Sequence, residues 1–131
     1  QVNVVQTAPS DWERRHWDLR PFITRVNRLK LSHPLLQGEG HLKPLGAMDG
    51  DTLVLRRADD ANETAGLILI NKVWKEPRDL PLGDIVRAPD NYRLHRVCRA
   101  DYREGGEPVP ATLALDRAEV AWVLPVTGGT A

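Results

Sequence analysis

The chain changes period once, and that change constrains its fold more than anything else in it. Up to Pro34, apolar residues recur three and four apart; from residue 41 they fall in short runs cut by Gly, Pro, Asp and Asn. Leu19, Phe22, Ile23, Val26 and Leu29 draw one stripe on a helix of about four turns, with Arg20, Arg25, Arg28 and Lys30 on the opposite side. Asp18 supplies a start signal, Pro21 falls in the first turn where its missing N–H is harmless, and Pro34 stops the helix near His33. Further upstream, Ser10-Asp11-Trp12-Glu13 matches a capping box and marks a short preceding helix. A helix this short and this amphipathic needs a surface to lie against.

The remainder reads as strands. Gly40–Met48 and Thr52–Ala58 flank Asp49-Gly50-Asp51, where Asp-Gly supplies the positive φ of a tight hairpin. Ala65–Lys72 contains Gly66-Leu67-Ile68-Leu69-Ile70, a continuous apolar run expected to be buried on both faces. Arg78–Val86, Tyr92–Asp101, Pro110–Leu115 and Glu119–Val126 complete the set. With no helices between them, these strands predict antiparallel pairing, and the fold class expected is mainly β: an antiparallel, Greek-key β-sandwich preceded by one α-helix.

Composition removes several classes of function. In 131 residues, 18 Lys and Arg balance 18 Asp and Glu, so no net field favours nucleic acid or an anionic membrane, and neither is expected as a partner. No apolar run is long enough to span a bilayer, and no basic-then-apolar leader precedes the helix. The lone Cys98 excludes an internal disulfide and a cysteine-based zinc site, which suits a cytoplasmic home. The start at Gln1-Val2-Asn3, without Met, reads as an excised piece.

Site candidates follow from residue type. His16, His33, His41 and His95 lack metal-ligand spacing, and Asp49-Gly50-Asp51 lacks the acidic run of a calcium loop, so no metal and no cofactor is expected. Arg93, Arg96, Arg99 and Arg103 make a basic strip, read as a solvated or interdomain face rather than a single-strand binder. Four Trp stand against two Tyr and one Phe. Trp74, in a polar stretch, and Tyr92 are the candidates for stacking on a sugar ring; Trp122, in the last strand, is expected in the core. Cys98 is expected buried, on the Leu94 face of its strand.

The stretch VVQTAPSDWERRHWDLRPFITRVNRLKLSHPLLQGEG resembles the region that closes the catalytic barrel in the α-amylase superfamily of glycoside hydrolases, with the pattern FI-x-x-VN-x-x-K/R-x-x-x-P-x-L. The likeness is to the maltosyltransferase branch. TLVLRRADDANETAGLILINK resembles the paired strands of that superfamily's C-terminal sandwich, and LALDRAEVAWVLPV its closing strand. The resemblance implies that residues 1–37 end a (β/α)8 barrel and residues 38–131 form the C-terminal sandwich. It implies that Trp12, Trp17, Leu19, Phe22, Ile23, Val26 and Leu29 pack on the barrel, the chain's main partner, although the sandwich is a second claimant for the helix stripe; α-glucan is a further partner through Trp74 and Tyr92. The superfamily's catalytic Asp and Glu lie upstream of this helix, so no catalytic residue is expected here and this chain alone is not expected to be an enzyme. Taken from its barrel, the apolar surface around Val2, Val4, Val5, Trp12 and the helix should drive self-association.

Overall fold

A computed structural model describes residues 20–126. Helix α1 (Arg20–Ser32) is followed by a 3-10 turn (Pro34–Leu36), and a second such turn lies at Pro89–Asn91. Seven strands come next among the described residues: β1 (His41–Leu45), β2 (Thr52–Ala58), β3 (Ala65–Asn71), β4 (Arg78–Pro81), β5 (Tyr92–His95), β6 (Thr112–Leu115) and β7 (Val120–Pro125). Every pairing is antiparallel. Five strands form one sheet in the order β1-β2-β3-β7-β5, and β4 pairs with β6 in a second.

The alternation of side chains along β7 explains the layering. Ala121 and Val123 point into a core shared with Val54, Leu69 and Leu94 of the large sheet and with Leu80, Leu113 and Leu115 of the small one. Trp122 and Leu124 point the other way, into a second cluster with Leu29, Leu35 and Val97. One face of the large sheet thus meets the small sheet, and the other meets α1. The expected mainly β class with one helix stands. The continuously apolar β3 and β7 are the middle of a structure covered on both sides, as a run without polar alternation requires. Gly66 is part of this design: a Cβ there would lie 2.5 Å from the Val123 carbonyl oxygen and 3.2 Å from Leu35 Cδ2.

At one edge, β1 is exposed for most of its length and carries Lys43 and Pro44, which discourage further pairing. At the other edge, Leu94 and Glu107 exchange backbone bonds of 2.8 and 2.9 Å.

Most expected strands lose a residue or two at their ends, and three lose much more. Tyr92–Asp101 stops at His95, because Arg99 N–H bonds back to Arg96 O and Tyr102 N–H to Arg99 O, turning the chain. Cys98 is consequently exposed rather than buried on the Leu94 face. Arg78–Val86 stops at Pro81, where Leu82 O accepts from Ile85 and Val86; Leu82 and Val86 still enter the core. Gly40–Met48 shortens to His41–Leu45, ending at Gly46 with φ +83°. Trp122 is half-buried beneath α1 rather than enclosed. Asp49-Gly50-Asp51 does lie in the β1–β2 turn, where Asp51 Oδ2 accepts from Arg78 Nε at 2.9 Å.

Candidate functional site

The sheet does not take the whole helix stripe. Phe22, Val26 and Leu29 pack onto Val97, Tyr102, Trp122 and Leu124. Burial of Leu29, 4 % exposed, is worth about 2 kcal/mol on area grounds alone. Ile23 is 45 % exposed and Leu31 74 % exposed. With Asn27 these two make an i, i+4, i+8 row along the outer side of α1. The apolar surface of the helix is therefore split, one part spent on this chain's own sheet and one part bare. Trp12, Trp17 and Leu19, and with them Val2, Val4 and Val5, lie outside the described residues.

The lower end of the helix is pinned by a histidine pair. His33 precedes Pro34 and takes an extended conformation (φ −125°, ψ 105°), as the residue before proline must. This turns its ring inward, where it meets the ring of His95 edge to face at 5.3 Å. His95 closes β5, is 2 % exposed, and holds its Nδ1 2.9 Å from the Tyr102 hydroxyl. Gly106 makes room: with φ +74°, a Cβ there would come 2.9 Å from His95 Cε1. Burial pushes the His95 imidazole down to about 4, and the charges of His33 and Arg93 act the same way. Burial also lowers His33 and raises Tyr102, so at neutral pH all three are uncharged.

Around this trio stand three guanidiniums. Arg25, placed by the sequence on the solvent side of the helix, instead reaches over the sheet and donates from Nε to Val97 O at 3.1 Å. Arg93 donates to Gly105 O at 3.2 Å and Gly106 O at 2.9 Å. Arg28 pairs with Glu104 at 2.9 Å. Together they line an open cleft of about 390 Å³.

The two sugar-stacking candidates are not brought together. Trp74 is 71 % exposed, with Lys75 Nζ 5.2 Å from its ring centroid. Its loop is held by Asn71, 1 % exposed, whose Nδ2 donates to Glu76 O and Asp116 O and whose Oδ1 accepts from Val73 N–H. Tyr92 is half-buried against the main core, beside a groove of about 340 Å³ shared with Leu67, Ile85 and Arg87. The residue just before Asn71, Ile70, pairs with Val120, whereas Tyr92 pairs with Pro125. Five steps along β7 are about 17 Å, so the two aromatics sit at opposite ends of the sheet.

The basic strip is largely consumed within the chain. Arg96 donates to both carboxylate oxygens of Glu119, at 2.8 and 2.5 Å, and to Ala114 O. Arg99 pairs with Asp101 and Asp116. Sequence reasoning missed both this buried pair and the histidine trio, in which His33 lies far upstream of its partners His95 and Tyr102. A lone Glu beginning a strongly apolar strand was the one available signal for the pair. Among the described residues, no group of three His, Cys, Asp or Glu is placed to hold a metal ion, and no helix is long and apolar enough to cross a membrane.

Comparison with protein-family models gives no match, and comparison with curated proteins gives none either.

Proposed function

We propose that this chain is the non-catalytic C-terminal region of an α-amylase-family glucan-processing enzyme, a hydrolase or a glycosyl or maltosyl transferase. In it, α1 is the last barrel helix, and the two facing sheets are the Greek-key sandwich that buttresses the barrel. One observation carries the reading: α1 is apolar on two sides, spending Phe22, Val26 and Leu29 on the sheet and leaving Ile23 and Leu31 bare. A helix that only capped its own sheet would place no large apolar side chains on that outer row, where Ile23 and Leu31 stand either side of Asn27. The quoted motif residues support it further. Asn71, the last residue of the apolar strand pattern, ends β3 and ties two loops together.

The test uses thiol labelling. Replace the exposed Cys98 by Ser and place a cysteine at Ile23→Cys, once in the parent polypeptide and once in the 131-residue chain. The reading expects maleimide to label the short chain, kept dilute enough to be monomeric by sedimentation, quickly and the parent slowly. Equal rates would show that nothing covers this row and would sink it.

A second reading, contact with α-glucan, is favoured by Trp74: a loop rigidly held by Asn71 presents an open indole face, which is how proteins stack on sugars. The separation of Trp74 from Tyr92 restricts such contact to a single platform.

A further inference from the structure

We propose that the cleft between α1 and β5 is an anion site, binding a doubly charged oxyanion of the phosphate class on the guanidiniums of Arg25, Arg28 and Arg93. This goes beyond the supporting role above and does not depend on it.

Charge is the first argument. The whole chain is neutral, yet among the described residues three arginines and a single carboxylate, Glu104, line this cleft, leaving them a charge of three minus one, or +2. Elsewhere Arg96, Arg99 and Arg78 are matched by Glu119, by Asp101 and Asp116, and by Asp51 and Glu76. Arg25 and Arg93 are held differently. Each is anchored by backbone carbonyl oxygens, which fix the side chain without cancelling its charge.

Donor count is the second. Arg25 commits only Nε and keeps both terminal nitrogens; Arg93 commits Nε and one terminal nitrogen and keeps the other. Planar forks fixed in advance and still holding N–H donors are what phosphate oxygens select. The third argument is the floor. His33, His95 and Tyr102 give it uncharged hydrogen-bonding groups, packed against one another and hence rigid. A volume of about 390 Å³ takes a phosphate carrying a small organic group. Glu104 fits as the present counter-charge. Its pair with Arg28 is two-thirds exposed on both sides, so it holds weakly and yields to a better anion.

Isothermal titration of the 131-residue chain at low salt tests this, with inorganic phosphate in one arm and glucose 1-phosphate in the other. Saturable one-to-one binding is expected in at least one arm; tighter binding of the ester identifies a phosphorylated metabolite as the occupant, equal binding the oxyanion alone. Arg28→Ala and Arg93→Ala should each weaken binding about tenfold, the loss of one charge-assisted contact. Glu104→Gln should tighten it, which a merely damaged fold would not do. Arg87→Ala, outside the cleft, should change nothing. No saturation in either arm, or Arg28→Ala and Glu104→Gln both matching the parent chain, overturns the proposal.

Discussion

His33 and His95 meet edge to face, their ring centroids 5.3 Å apart and their planes at 78°, and this contact ties the end of α1 to the end of β5. Both rings are buried, and burial withholds the proton from each. The helix is therefore fastened to the sheet by a joint that tolerates water and acid poorly.

The joint sets a pH dependence. His95 titrates near 4 in the folded chain against an ordinary 6.5, so between these values the unfolded chain binds more protons than the folded one. Its contribution to stability is complete above about pH 6.5 and is lost as pH falls toward 4, and His33 acts in the same direction. The loss reaches about 3 kcal/mol. Urea unfolding at steps across this window should show it, and His95→Gln should remove most of the slope. A variant whose slope matches the parent chain would contradict the assignment.

The Arg96–Glu119 pair predicts an asymmetric response. Glu119 is 2 % and Arg96 12 % exposed at the side chain, and the Asp116 N–H also rests on Glu119. Glu119→Gln strands a buried guanidinium and should cost about 3 kcal/mol, whereas Arg96→Met with Glu119→Leu should recover much of that. Thermal and urea unfolding of the three variants decide it. A loss below about 0.5 kcal/mol for Glu119→Gln would mean that the pair is solvated.

Period shifts made the helix, the two-sheet pattern and most strand positions readable, because burial on one face or two leaves its mark on neighbouring residues. Thr52–Ala58 was legible to the residue. What was not legible depends on contacts between distant residues. The turn after His95, which exposes Cys98, is set by packing under α1, and the alternation of Tyr92, Leu94, Arg96 and Cys98 disguised it as a longer strand. Arg96 and Glu119 are 23 residues apart, and the one local sign, a lone Glu opening an apolar strand, does not point to Arg96. The split of the helix stripe was equally hidden, since spacing shows that a face is apolar and not which neighbour takes which part.

Trp74 gives the glucan reading a direct readout. Titration with maltoheptaose should change Trp fluorescence, and Trp74→Ala should abolish the change while leaving stability within about 0.5 kcal/mol, as for an exposed side chain. A flat titration up to millimolar glucan would remove glucan contact from the account.

The bare row of α1 predicts self-association of the isolated chain. Sedimentation velocity should show average mass rising with concentration, and Ile23→Asp with Leu31→Asp should return a monomer. A concentration-independent monomer before substitution would mean that these two side chains do not form an adhesive patch.

If α1 closes a catalytic barrel as proposed, the native polypeptide is far longer than 131 residues, and its size is the decisive measurement. An antibody to this chain, used on cells that produce it and followed by peptide mass spectrometry of the band, should find a protein of at least roughly 380 residues, because a (β/α)8 barrel adds about 250. Peptides upstream of Gln1 should carry the barrel's catalytic Asp and Glu. A native polypeptide of these 131 residues alone, or one joined to an unrelated domain, would contradict the account.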